Sequence, residues 1–81
     1  MERRLLMIRD TESLQAAQQI LCTNAMNQLH ASIHDFQLLQ HIDGREPKGR
    51  QVLAEQLIGI EDRLVVVKNQ IQTIRNLYRE C

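Results

Sequence analysis

Apolar residues in the second half of the chain recur with a strictly alternating spacing. Successive members are 4, 3, 4, 3, 4, 3 and 4 residues apart, in the series Leu53, Leu57, Ile60, Leu64, Val67, Ile71, Ile74 and Tyr78. This spacing keeps one narrow apolar seam on a helix that packs against another helix. A second apolar shoulder lies beside the seam and consists of Val52, Ile58, Val65 and Val66. The pattern predicts a helix that binds other helices.

The first half of the chain has a similar apolar spacing and very few charges. Its seam has spacings of 4, 3, 4 and 3 residues and consists of Cys22, Met26, Leu29, Ile33 and Phe36. A related stripe, rotated slightly around the helix, consists of Leu14, Ala17, Leu21 and Ala25. Asp35 is the only formally charged residue between Ser13 and Ile42. Interface centres lose charges because burial desolvates them, but Gln and Ala are also good helix formers, so both explanations stay open.

A short polar segment, residues 43–50, separates the two periodic regions. It contains the only proline of the chain and two of its three glycines. We expect Gly44 to end the first helix in a left-handed conformation and Pro47 to disfavour its continuation. The third glycine, Gly59, lies inside the second helix but off its seam, where we expect it to be tolerated at a cost of roughly 1 kcal/mol against alanine.

These boundaries predict one all-α domain arranged as an antiparallel, coiled-coil-like hairpin. Helix 1 covers residues 11–42, a loop covers 43–50 and helix 2 covers 51–79. Two helices of matched length joined by a short loop favour antiparallel packing. Residues 1–10 either extend helix 1, form a short amphipathic helix or stay flexible.

A hairpin alone would bury only one seam and leave the shoulder in water. We therefore expect a third or fourth helix, from a second copy of the chain or from another protein, to complete a bundle. Leucine at 57 and 64 with β-branched residues at 60, 67 and 74 favours more than two strands. The predicted partner-binding residues are Cys22, Met26, Leu29, Ile33, Phe36, Leu53, Leu57, Ile58, Ile60, Leu64, Val65, Val67, Ile71, Ile74 and Tyr78.

Composition excludes several function classes. Ten Lys and Arg balance ten Asp and Glu, so no net field attracts nucleic acid or an anionic membrane. One Tyr, one Phe and no Trp offer little for stacking bases or for lining a cofactor or small-molecule pocket. No apolar run is long enough for a membrane span or an export signal. With two cysteines, Cys22 and Cys81, a disulfide framework is not expected, and we expect a cytoplasmic protein.

Candidate catalytic and metal-binding residues are few. His30 and His34 have a spacing that can hold a metal, but no third ligand lies close to them on the same face of the helix. We therefore interpret them as surface histidines. Cys22 lies between apolar turns and is expected to be buried as a small hydrophobe. Neither Glu61 nor Asp62 has a basic residue three or four positions away, and both are expected to be solvated. We therefore expect no catalytic residue, no cofactor and no metal.

The cationic residues of the loop and of the N-terminus do not predict a binding site. Arg45, Lys48 and Arg50 are diluted by Glu46, so a solvated loop is preferred over a phosphate-binding site. A basic helix-loop-helix protein needs a strongly basic helix before its first seam, and the N-terminal arginines are interrupted by apolar residues and followed by acidic ones. Nucleic-acid binding is therefore not expected.

Two functions of different class fit this pattern. The first is a small adaptor or co-chaperone that covers an apolar helix of a partner, and the second is a self-assembling subunit of a helical bundle. From about Thr11 to Tyr78 the layout is similar to small two-helix co-chaperones that hold bacterial type III secretion needle subunits, which are short hairpins without catalytic residues. The similarity is limited to the arrangement of helices, and no sequence motif supports it. A vesicle-fusion helix is disfavoured, because the second seam has no central Gln or Arg layer.

Overall fold

In a computed structural model, the chain forms two long helices packed against each other as an antiparallel hairpin. Helix α1 spans Glu2–Leu39 and helix α2 spans Pro47–Asn76. The structure describes the backbone of residues 2–79 and the side chains of residues 11–79, and this range contains no strand. The predicted all-α hairpin is confirmed. Its completion to a larger bundle stays a prediction.

The helix boundaries differ from the predicted ones by a few residues at the loop. α1 ends at Leu39, and tighter turns follow, in which the amides of His41 and Ile42 donate to the carbonyls of Leu38 and Leu39. α2 begins four residues earlier than predicted, at Pro47. Proline suits the first helical position because its ring fixes φ and its missing N–H would have no helical acceptor there. The backbone of α1 is helical from Glu2, so it includes nine of the ten residues that the sequence left open.

The loop is organised by Asp43. Its carboxylate accepts a hydrogen bond from the backbone N–H of Arg45 at 2.9 Å and from the Arg45 guanidinium at 3.0 Å. These two hydrogen bonds, the side-chain one first, hold the pKa of Asp43 below its usual value. An aspartate that bonds to the backbone two residues later is a common way to make a turn.

The two glycines between residues 43 and 50 lie close to other atoms, and at Gly49 the space is required. The prediction of a left-handed Gly44 is wrong, since no described residue has a positive φ. A Cβ atom at Gly49 would instead lie 1.9 Å from the carbonyl oxygen of Asp43, and one at Gly44 would lie 2.9 Å from Cδ1 of Leu53. The start of α2 therefore passes directly against the loop backbone. Gly59 has no such neighbour within 4 Å, which agrees with its interpretation as a tolerated residue.

The surface between the helices mixes apolar and polar residues. We call it the hairpin seam. On α1 it uses the rotated stripe, continued towards the loop by three polar residues and a leucine: Leu14, Ala17, Leu21, Ala25, Gln28, Ser32, Asp35 and Leu39. On α2 it consists of Ile60, Arg63, Val67, Gln70, Ile74 and Leu77. Among the described side chains, the residues classed as buried are two apolar ones, Ile60 and Val67, and two polar ones, Ser32 and Gln70.

A polar cluster fixes the middle of the hairpin seam. The Arg63 guanidinium donates to the Asp35 carboxylate and, at 3.3 Å, to the Ser32 hydroxyl. The Ser32 hydroxyl in turn donates to the carbonyl of Gln28 one turn earlier, at 3.0 Å. This partly buried ion pair joins the helices at one level, so it sets their register. Nearer the open end, the Tyr78 hydroxyl lies 2.6 Å from Oε1 of Gln18 and 3.5 Å from Oε1 of Gln15.

Candidate helix-binding face

The predicted seam of the first helix does not lie between the two helices. Cys22 is exposed, so the prediction that it is buried is wrong. Met26, Leu29, Ile33 and Phe36 are exposed as well. The physical reason is that these residues lie about 100° around α1 from the stripe that forms the hairpin seam. The stripe that faces α2 combines leucines with alanines and polar side chains, and the apolar row beside it stays outside the hairpin.

The predicted seam of the second helix is divided between two surfaces. Ile60 and Val67 are buried in the hairpin seam, with Leu53 and Ile74 half-buried beside them. The alternate members of the series are exposed: Leu57, Leu64, Ile71 and Tyr78. A 3-4 spacing combines two heptad columns of a helix. The hairpin uses one column, and the other remains open.

The exposed rows of α1 and α2 lie on the same side of the hairpin. Right-handed helices that run in opposite directions bring rows displaced in the same rotational sense to one side. The contact of Tyr78 with Gln15 supports this placement, because Gln15 continues the heptad row of Cys22, Leu29 and Phe36, and Tyr78 continues that of Leu57, Leu64 and Ile71. We call the resulting surface the apolar face. It consists of Cys22, Met26, Leu29, Ile33, Phe36, Leu57, Leu64 and Ile71.

The apolar face is large for a chain of this size. Its seven large side chains are each between 40% and 54% exposed. At roughly 30–60 Å² of apolar surface for each half-exposed side chain, the face presents about 200–400 Å². This area is similar to that of the largest apolar patch on an ordinary monomer. The described part of this hairpin, however, buries only two apolar residues, Ile60 and Val67.

The two edges of the apolar face differ in charge. The edge on α1 is neutral, with residues such as Gln19, Thr23, His30 and Gln37. The edge on α2 carries a heptad row of charges formed by Glu61, Lys68 and Arg75, all exposed. None of these three residues is in an ion pair within the described hairpin, whose ion pairs are Arg45–Asp43 and Arg63–Asp35.

Other exposed apolar residues lie away from the apolar face. Ile58 and Val65 follow Leu57 and Leu64 by one residue, so they point outward, about 100° further around α2. Ile20 and Leu38 lie on the far side of α1. Of the predicted shoulder, Ile58, Val65 and Val66 are exposed and Val52 is half-buried. Ile58 and Val65 do not extend the apolar face. These residues serve as matched controls for substitutions on the apolar face.

No arrangement typical of catalysis or metal binding occurs in the described part of the chain. His30 and His34 are exposed, and no group of three or more potential ligands comes together among residues 11–79. Glu61 and Asp62 are exposed as predicted. A shallow hollow along α1 is lined by Gln19, Ile20, Thr23, Asn24 and Asn27, on a single helix. It holds no charged or nucleophilic group apart from a threonine hydroxyl.

Neither described helix combines the length and apolar character needed to cross a lipid bilayer. Comparison with known proteins gives no match to a protein-family model, to a curated protein or to a solved structure. The similarity to type III secretion co-chaperones therefore stays one of layout.

The sequence analysis did not identify the polar residues of the hairpin seam. Ser32, Arg63 and Gln70 were not assigned to any interface, although the stripe from Leu14 to Ala25 leads directly to Ser32 when it is continued with heptad spacing. The isolated charge of Asp35 was a second signal. A lone carboxylate on a nearly uncharged helix suggests a specific partner, and that partner is Arg63.

Proposed function

We propose that this chain is a non-enzymatic helical interaction module, and that its apolar face binds helices of another polypeptide chain. One observation carries the proposal. The hairpin buries only two apolar side chains, Ile60 and Val67, and leaves the seven large apolar side chains of the apolar face half-exposed together on one side. A surface selected only for solubility would not cluster them there, because exposed apolar area is unfavourable.

The energetics support the same conclusion. Complete burial of an apolar side chain contributes about 1.5–3 kcal/mol, so covering seven half-exposed ones contributes roughly 5–10 kcal/mol before the cost of association. The hairpin seam by itself includes a partly buried ion pair and a buried Gln70 oxygen without a hydrogen-bond partner. Such groups give specificity rather than large net stability. Covering the apolar face would therefore contribute a substantial part of the stability of the assembled state.

The ligand that this surface fits is an amphipathic helix or a pair of helices. The apolar face is long and narrow, with two parallel rows of side chains at heptad spacing, which is the geometry of a bundle interface. An adaptor or co-chaperone would cover the apolar helix of a different protein with it. A self-assembling subunit would cover a second copy of itself. Both functions need the same residues.

The test compares substitutions on and off the apolar face. Leu64→Glu and Ile33→Glu lie on it, and their controls Val65→Glu and Leu38→Glu have similar exposure but lie outside it. We expect all four variants to keep their helical circular dichroism in dilute solution. Only the two on the apolar face should lose association, either with the chain itself or with proteins captured from an extract of the source cells.

Captured proteins support the proposal only if they bind to the apolar face, which hydrogen exchange can test. Hydrogen exchange of the purified assembly should show protection centred on residues 22–36 and 57–71 relative to the isolated chain. The proposal is overturned if the full chain stays monomeric at high concentration and the variants on the apolar face capture the same proteins in the same amounts as the controls.

A further inference from the structure

We infer that the apolar face is covered by the same face of a second copy, giving an antiparallel four-helix bundle whose two-fold axis is perpendicular to the helices. This inference rests on the proposed function and names its partner. Three features of the described residues support it: the symmetry of the apolar rows, the order of charges along one edge and the area available.

Apart from Cys22, each apolar row is symmetric about a midpoint. On α1, Met26 and Phe36 lie five residues to either side of Ala31, and Leu29 and Ile33 lie two residues to either side of it. On α2, Leu57 and Ile71 lie seven residues to either side of Leu64. A two-fold interface is self-complementary, so the rows that form it must match themselves when reversed.

The two midpoints lie at one level of the hairpin. Two side chains of α2 each contact two residues of α1: Arg63 contacts Ser32 and Asp35, and Tyr78 contacts Gln18 and Gln15. Because the helices are antiparallel, these contacts place Leu64 opposite positions 29 to 34 of α1, a range centred between Ala31 and Ser32. A single axis perpendicular to the helices can therefore pass through the midpoints of both rows. It would pair Met26 with Phe36, Leu29 with Ile33 and Leu64 with itself.

The charges on the α2 edge match the same axis. Reversal about Leu64 brings Glu61 of one copy to within one residue of Lys68 of the other, and the symmetry repeats this pair. Interhelical pairs of opposite charge beside an apolar row select partner and orientation. The neutral edge of α1 introduces no repulsion when it meets its own copy.

The alternative two-fold arrangement lacks this match. With the axis parallel to the helices, α2 would face α1 of the second copy. Between Ser13 and Ile42 that helix offers one charged residue, Asp35, which is paired with Arg63 in the hairpin seam. Glu61 and Lys68 would then meet no opposite charge. The charge order therefore favours the perpendicular axis.

The available area is sufficient for a dimer of moderate affinity. Two apolar faces together contribute roughly 400–800 Å² of apolar surface, and interfaces are about 60% apolar, so the whole contact is about 700–1,400 Å². This range reaches the lower part of the standard interface size. Dimerisation should accordingly depend on protein concentration in an accessible range.

The experiment is a charge swap measured by sedimentation equilibrium of the full chain. Glu61→Lys places two basic side chains together across the interface, and Lys68→Glu places two acidic ones together. Each variant alone should dimerise roughly 3–30-fold more weakly than the original chain. A mixture of the two variants, and the double variant with both changes, should recover the original affinity. Asp62→Lys makes the same change of charge as Glu61→Lys on the outer side of α2 and should have a smaller effect.

A cross-link tests the position of the axis. With both native cysteines replaced by alanine, Leu64→Cys should form a disulfide-linked dimer under mild oxidation, whereas Val65→Cys should not. Linkage at both positions alike overturns the perpendicular axis. A chain that remains monomeric, with no response to the charge swap, overturns the inference. If such a monomer still binds a different protein through the mapped apolar face, the proposed function stands and its partner is another protein.

Discussion

The hairpin seam and the apolar face share the same two helices but differ in composition. The hairpin seam mixes leucines and alanines with Ser32, Gln70 and the Arg63–Asp35 pair, and its most buried apolar side chains are Ile60 and Val67. The apolar face holds most of the large aliphatic side chains on that side of the hairpin, and they are half-exposed. The contrast teaches that the internal contact of this chain provides register and leaves a whole set of large apolar side chains half-exposed.

The largest expected difference between the two surfaces is in the stability of the isolated hairpin. Ile60→Ala removes the most buried apolar side chain and should lower the free energy of unfolding by about 2–4 kcal/mol. Leu64→Ala removes a half-exposed side chain and should lower it by less than about 1 kcal/mol in dilute solution. Urea denaturation at a concentration below that of association measures both. Equal losses would mean that the apolar face is already covered within one chain.

The second prediction concerns the polar cluster. Arg63→Ala leaves Asp35 partly buried without its partner and should destabilise the hairpin by about 1–3 kcal/mol, a value reduced by the partial exposure of both side chains. The paired replacement Asp35→Leu with Arg63→Leu should recover most of this loss, because no unpaired charge remains. That variant should also have a less defined register, seen as broader amide resonances near Ser32. A double variant with sharp resonances and unchanged register would show that the ion pair does not set the alignment.

The third prediction compares two glycines of α2, and it includes the smallest expected effect, at Gly59. Gly49→Ala forces the Asp43 carbonyl to move and should destabilise the hairpin by about 1–3 kcal/mol. Gly59→Ala enters open space and should stabilise it by up to about 1 kcal/mol, through higher helix propensity. Thermal unfolding of the two single variants gives the comparison. Destabilisation by Gly59→Ala would indicate that another chain approaches α2 at this position.

The sequence predicted the fold class well and the contact surfaces poorly. Two long helices followed from two regions of 3-4 periodicity separated by the segment with Pro47, because periodicity and helix breakers act locally. Which apolar row of each helix faces the other helix could not be predicted in the same way. In α2 the series from Leu53 to Tyr78 fits either of two neighbouring directions equally well. In α1 the more apolar stripe was preferred, although the hairpin seam uses the other one.

The chain by itself determined that it forms helices, where they turn and which of their faces are apolar, since these properties depend on residues close together in sequence. Only the tertiary structure decided which face closes the hairpin. That choice depends on contacts between residues far apart in the chain, above all Arg63 with Asp35 and Ser32, and on side chains small enough to let the helices approach. Because these contacts turn the hairpin-seam stripe of α1 inward, the exposed apolar rows of both helices come together on one side.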